Sequence, residues 1–221
     1  MKRAVLAMVV LTVLLSFPHL AAGADLSVGA KLGINLAWTT GDDWEDAIET
    51  VDGGNSPAIG FVGGGILEIA LAEQLALQPE LLFFQQKSKF VWDFGDEEAE
   101  TVSTTNTFQV PLLIKGTIPA GKGRLYGVAG PALSLVLGDV ESKTEIDGDE
   151  ETQDLEAGNS LWLSLAVGVG YEHPVGPGYI VGDIRYTRQL TSAEVEDGFG
   201  GELEESYSNA VSYVVGFKFD L

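Results

Sequence analysis

The 221-residue chain has no cysteine, so it can form no disulfide framework, thiol nucleophile or thiolate metal site. It has two histidines, His19 and His173, and neither combines with a serine and an acid, or with a cysteine, into a nucleophilic arrangement. Basic residues are scarce. There are 12 Lys and Arg against 33 Asp and Glu, a formal net charge of −21, which leaves no basic patch for nucleic acid. Beyond the first twenty residues there is no apolar run of the roughly 18 needed for a membrane-spanning helix. The 28 glycines follow no period of three, and 45% of the chain is hydrophobic. Collagen-like and disordered classes are thereby excluded.

What is present begins with an export signal. Lys2 and Arg3 form a positive start, Ala4 to Leu15 is an apolar stretch broken by Thr12, and Pro18 ends it. Ala22-Gly23-Ala24 fits a small-residue cleavage site. The expected division is residues 1–24 as signal peptide and 25–221 as one domain. Loss of Lys2 and Arg3 takes the net charge from −21 to −23.

The mature segment reads as strands. Leu26, Val28, Ala30, Leu32, Ile34, Leu36 and Trp38 share one parity, and Ser27, Gly29, Lys31, Gly33 and Asn35 share the other. In a strand such alternation puts an apolar set on one face and a small or polar set on the other. The same alternation recurs at Leu161–Tyr171, Phe108–Ile118, Tyr213–Leu221, Tyr179–Leu190 and Arg124–Gly138. Two segments are less regular. Around Ile59–Leu71 a strand competes with an amphipathic helix over Ile66–Leu77, and in Leu77–Phe83 the apolar Leu82 and Phe84 break the alternation.

Short and long connections alternate between these segments. The short ones fall near Ala72–Gln74, Pro119–Gly123 and His173–Gly178. The long ones run Thr39–Pro57, Asp93–Thr105, Asp139–Asn159 and Thr191–Ser208, and hold 26 of the 33 acidic residues with Lys143 as their one basic residue. This rhythm predicts an all-β fold, an eight-stranded antiparallel up-and-down transmembrane β-barrel. It places the barrel in the outer membrane of a Gram-negative-type bacterium, with the termini periplasmic and the acidic loops extracellular.

Several pieces resemble the small outer-membrane β-barrels of the PorT-like or OmpX-like kind. They are Gly29-Ala30-Lys31-Leu32-Gly33-Ile34-Asn35, Leu77-Gln78-Pro79-Glu80-Leu81, Val110-Pro111-Leu112-Leu113-Ile114-Lys115 and Gly127-Val128-Ala129-Gly130-Pro131-Ala132-Leu133-Ser134. The terminal strand resembles an insertion signal read by the barrel-assembly machinery, but it ends in Leu221, with Phe219 two residues before, where such signals usually end in Phe. These are barrel-building pieces, and the resemblance implies no enzymatic activity and no cofactor.

Charges on the polar parity are the candidate functional residues. Lys31, Glu68, Glu80, Lys115, Asp183, Arg185 and Lys218 are expected to pair inside the barrel, since charges held away from water need partners. An eight-stranded bore is about filled by its own side chains. The alternative for the same residues is a charged constriction of a pore. In the loop Ile146–Asp154, Asp147, Asp149, Glu151 and Asp154 concentrate oxygen atoms of the kind divalent cations favour. Their spacing is not that of an EF-hand, and a solvated acidic loop is the competing reading. No metal centre is assigned. The function expected is non-enzymatic: a barrel in outer-membrane lipid that presents acidic loops for a structural, adhesion or envelope-interaction role, with an extracellular or envelope protein as partner. The alternatives are a narrow cation-preferring pore and an accessory barrel of a protein-secretion system.

Overall fold

The computed structural model describes residues 25–40, 54–93, 98–138, 140–146, 149–155, 161–191, 193–196 and 202–221. The expected signal peptide, Asp147 and most of the first long connection lie outside them. Eleven strands follow one another: β1 (Leu26–Thr40), β2 (Gly54–Ala72), β3 (Leu75–Asp93), β4 (Glu98–Ala120), β5 (Gly123–Val136), β6 (Val140–Ile146), β7 (Asp149–Leu155), β8 (Leu161–Val175), β9 (Gly178–Gln189), β10 (Ala193–Glu196) and β11 (Glu202–Asp220). Eight of them, β1, β2, β3, β4, β5, β8, β9 and β11, close an antiparallel ring. The closing ladder runs from Ser27 opposite Asp220 to Thr40 opposite Tyr207.

The turns at one end are tight: residues 73–74, 121–122 and 176–177. Gly121 and Gly176 take φ of 63° and 58°, the left-handed region that glycine enters without a Cβ clash. Ile66–Ala72 is strand, so the helical alternative over Ile66–Leu77 is wrong. Opposite all of these residues but Leu71, the ladder to β1 or β3 supplies the hydrogen bonds an isolated helix would have had to make for itself.

At the other end the expected long loops are shortened by structure. β3 and β4 stay paired out to Asp93 opposite Glu98, so the Asp93–Thr105 connection is mostly ladder. Asp139–Asn159 is a β6–β7 hairpin, with Val140 opposite Leu155 and Ile146 opposite Asp149. β6 also joins β4 from Ala99 to Thr104, where β4 has parted from β5. β10 pairs with the start of β11. The described parts of the Asp93–Thr105, Asp139–Asn159 and Thr191–Ser208 connections are therefore mostly sheet extensions of the ring, and the strands reach 23 residues, well beyond a membrane strand's roughly 9–11.

Burial follows parity. Lys31 is 4% exposed and its neighbour Leu32 is 59%. Leu82 and Phe84, which break the expected alternation of β3, keep strict parity. Leu81 faces out at 53%, while Leu82 and Phe84 face in at 2% and 3% beside Val62 and Val214. The lumen simply has an apolar patch at that level.

Candidate functional site

The ring places long charged side chains beside glycines. Lys31 faces Gly216 on one neighbouring strand and Gly64 on the other. A Cβ at Gly216 would collide with Lys31, and one at Gly170 with the Tyr126 ring. Small residues on the inward parity thus make room for chains that cross the lumen.

Two ion-pair layers result. In the middle of the barrel, Lys31 Nζ lies 2.7 Å from Glu80 Oε1 and 3.1 Å from Asp183 Oδ2. Arg185 grips Glu80 with two hydrogen bonds of 2.6 and 3.2 Å, a fork that suits guanidinium and carboxylate. Its Nη2 is also 3.4 Å from Asp183 Oδ1. Gln78 donates to Glu80 at 2.6 Å and Tyr126 to Asp183 at 3.0 Å.

Toward the turn end, Lys115 donates to Glu68 at 2.6 Å and also pairs with Glu172. Lys218 Nζ is 2.7 Å from Glu68 and 2.9 Å from Glu172. Arg124 reaches Glu172 at 2.7 Å from the rim. The Tyr126 ring carries Lys115 Nζ 4.4 Å from its centroid, so this tyrosine touches both layers.

The arrangement is electrically balanced. Lys31, Lys115, Arg185 and Lys218 meet Glu68, Glu80, Glu172 and Asp183. Apart from Glu68, at 12%, their side chains in these pairs are at most 2% exposed. A buried ion is costly unless paired and hydrogen-bonded, and each of these eight has an opposite charge within 3.1 Å. A ring of one sign, as a selectivity filter needs, is not what these residues make.

All seven charges singled out from parity are brought into the two layers. Glu172, Arg124 and Tyr126 were missed. Glu172 stands on the same polar parity as Ser164, and its two-residue rhythm was the signal that could have found it. Of the acidic-loop residues, Asp149, Glu151 and Asp154 lie on β7 and Asp147 lies outside the described residues. Among the described residues no group of three His, Asp or Glu is placed to hold a metal ion. His173 is exposed, with its ring 6.2 Å from that of Tyr171.

The outer wall is apolar over a wide band: Leu32, Ile34, Leu163, Leu165, Val169, Ile184 and Val215 are 40–65% exposed. Water-facing proteins rarely expose so large a contiguous apolar area. Aromatic pairs flank the band. Trp38 and Tyr186 (6.3 Å) and Phe83 and Phe108 (6.0 Å) lie on the loop side, and Phe217 and Phe219 (4.6 Å) on the turn side. Such girdles mark the two membrane–water interfaces.

The sequence profile described as outer membrane protein beta-barrel domain matches residues 16–193. The chain belongs to that family. This outer-membrane barrel also resembles solved structures. OprG from Pseudomonas aeruginosa is 10% identical, with 90% of this chain and 96% of that chain covered and a TM-score of 0.53. Neisserial surface protein A is 12% identical, with 90% and 99% covered and a TM-score of 0.45. Ail, the attachment invasion locus protein of Yersinia pestis, is 13% identical, with 88% and 99% covered and a TM-score of 0.38. At these identities the likeness is one of fold. No curated protein matches the sequence.

Proposed function

We propose that this barrel is a closed, non-enzymatic envelope protein of the PorT-like or OmpX-like kind. It carries its acidic sheet extensions on the extracellular side, with the termini in the periplasm, and works through surface contacts with an envelope or extracellular protein. The observation that carries this reading is the lumen: eight buried charges neutralise one another across the bore. A plugged barrel has little to offer as a conduit, which leaves its ends as working surfaces. The extensions formed by β6 and β7 hold six acidic residues against one lysine, a surface that favours a basic partner. The barrel-assembly machinery would insert it, with outer-membrane lipid around the apolar band.

Labelling on intact cells tests the display. Thr152→Cys on β7 and Lys122→Cys in a tight turn both sit at exposed positions. An impermeant maleimide should modify the first on intact cells and the second only after the membrane is broken. Reversed labelling would mean that the acidic extensions face the periplasm and the display role is wrong.

A further inference from the structure

The lipid-facing wall is not smooth. A trough of about 520 Å³ crosses β5, β8 and β9, lined by Ala129, Val167, Val169, Ile184 and Tyr186. A second, of about 930 Å³, continues it toward the turn end. The two share Gly127, Val169 and Ile184 in their linings. The dips are missing side chains. At the outward-parity Gly116, Gly127 and Gly182 an added Cβ would meet no heavy atom nearer than 3.7 Å.

A cation stands at the loop-side end of this trough. Arg188 is exposed on the outward parity of β9, two residues beyond Tyr186 and two before Leu190. Its level is that of the Trp38–Tyr186 aromatic pair. Tyr186 is fixed there by donating to Asn209 Oδ1 at 2.6 Å, and Asn209 faces Arg188 across the ladder. The other outward cations at the barrel's ends have acids: Lys89 has Glu100, and Arg124 has Glu172. Arg188 has none within ion-pair distance among the described residues. The outward positions of β8 from Leu161 to Tyr171, and of β11 from Tyr207 to Phe219, hold no Asp or Glu.

An arginine at a membrane boundary with no protein acid beside it is matched by a phosphate, which its planar fork binds through paired hydrogen bonds. The acidic extensions repel a free anion coming from water, so the phosphate must travel within the bilayer, on a lipid. The dimensions agree. Arg188 and Gly182 are six residues apart on β9, ~20 Å at roughly 3.3 Å per residue. At a strand tilt of about 40° that is ~15 Å of depth, one leaflet of a ~30 Å hydrocarbon core. A second copy of the barrel is the other apolar body that could lie on this wall, but it would bring two acidic loop ends side by side. We infer that Arg188 and the trough form a site for one anionic, phosphate-bearing lipid, with the headgroup on Arg188 and an acyl chain along Val167, Val169 and Gly127. This holds for whichever leaflet meets the loop end.

The test uses the full barrel refolded in a non-ionic detergent and offered phosphatidylglycerol and phosphatidylcholine with matched chains. Choline carries its own cation, so the two lipids differ in net charge. Native mass spectrometry counts the lipids retained. The wild type should keep one phosphatidylglycerol at least fivefold in preference to phosphatidylcholine, and millimolar inorganic phosphate should not displace it. Arg188→Gln should lose the preference and Arg188→Lys should keep part of it. Gly127→Leu, which fills the trough where a side chain has room, should lower phosphatidylglycerol retention at least threefold. All variants are judged on material whose gel migration shows it folded. Absence of a preference in the wild type, or an undiminished one in Arg188→Gln, would overturn the inference. Unchanged retention in Gly127→Leu would remove the trough from it. Displacement by inorganic phosphate would make Arg188 a free-anion site instead, and a lipid-free dimer would give the wall to a second copy.

Discussion

Glu80 holds Lys31 and Arg185 at once. Replacing it by Gln leaves two buried cations to share Asp183, and breaking a buried pair costs about 3–5 kcal/mol. Lys89 and Glu100 form a contrasting pair, 2.5 Å apart with side chains 37% and 38% exposed. Exposed pairs contribute about 0–1 kcal/mol. Urea unfolding of the refolded barrel should therefore show a large loss for Glu80→Gln and a small one for Lys89→Ala. Equal losses would mean that the lumen is wet enough to screen its charges. At this scale the sequence was informative about membership and silent about partners. Parity marks Lys31 and Asp183 as inward, but their contact joins residues 152 apart in the chain, and only the ring's register creates it. Glu172 needed no register to be found. It was overlooked because it ends a run of small inward residues.

At the scale of the strand, period-two alternation was legible wherever one face meets lipid and the other a polar lumen. It failed in two physical situations. Where the lumen itself turns apolar, at Val62, Leu82 and Phe84, both faces of β3 carry hydrophobic residues and the pattern looks broken. Where strands rise beyond the membrane, as in β6, β7 and the start of β4, neither face is apolar and no alternation remains to be read, so segments held by backbone pairing looked like loops. The same depth dependence gives a prediction. Leu165 lies in the apolar band at 44% exposure, and Leu165→Arg should cost about 2–4 kcal/mol, against about 0–1 near the interface. Thr104 stands on the outward parity of β4 beyond Phe108, opposite Glu141, and Thr104→Arg should fold into vesicles as efficiently as the wild type. If both variants insert equally well, the apolar band does not face lipid.

For the whole molecule, closure is the decisive property. The β1–β11 ladder leaves the ring without a free edge from which unfolding could start. The unheated protein should migrate differently from the boiled protein in detergent gels, and identical migration would contradict a closed ring. Charge is segregated along the axis: the lumen network is balanced, while the loop-end connections carry most of the acid behind the net charge of −21. A lumen closed by its ion pairs should pass no steady current, and single-channel recording in a planar bilayer measures this. The refolded wild-type barrel should be essentially silent. Rare openings should prefer cations, because acidic residues gather at the loop end. That preference should fade as salt rises from 0.1 M to 1 M, where the screening length falls from about 10 Å to about 3 Å. Steady, large conductance at low salt would show that the ion pairs do not fill the bore and that the barrel is an open pore.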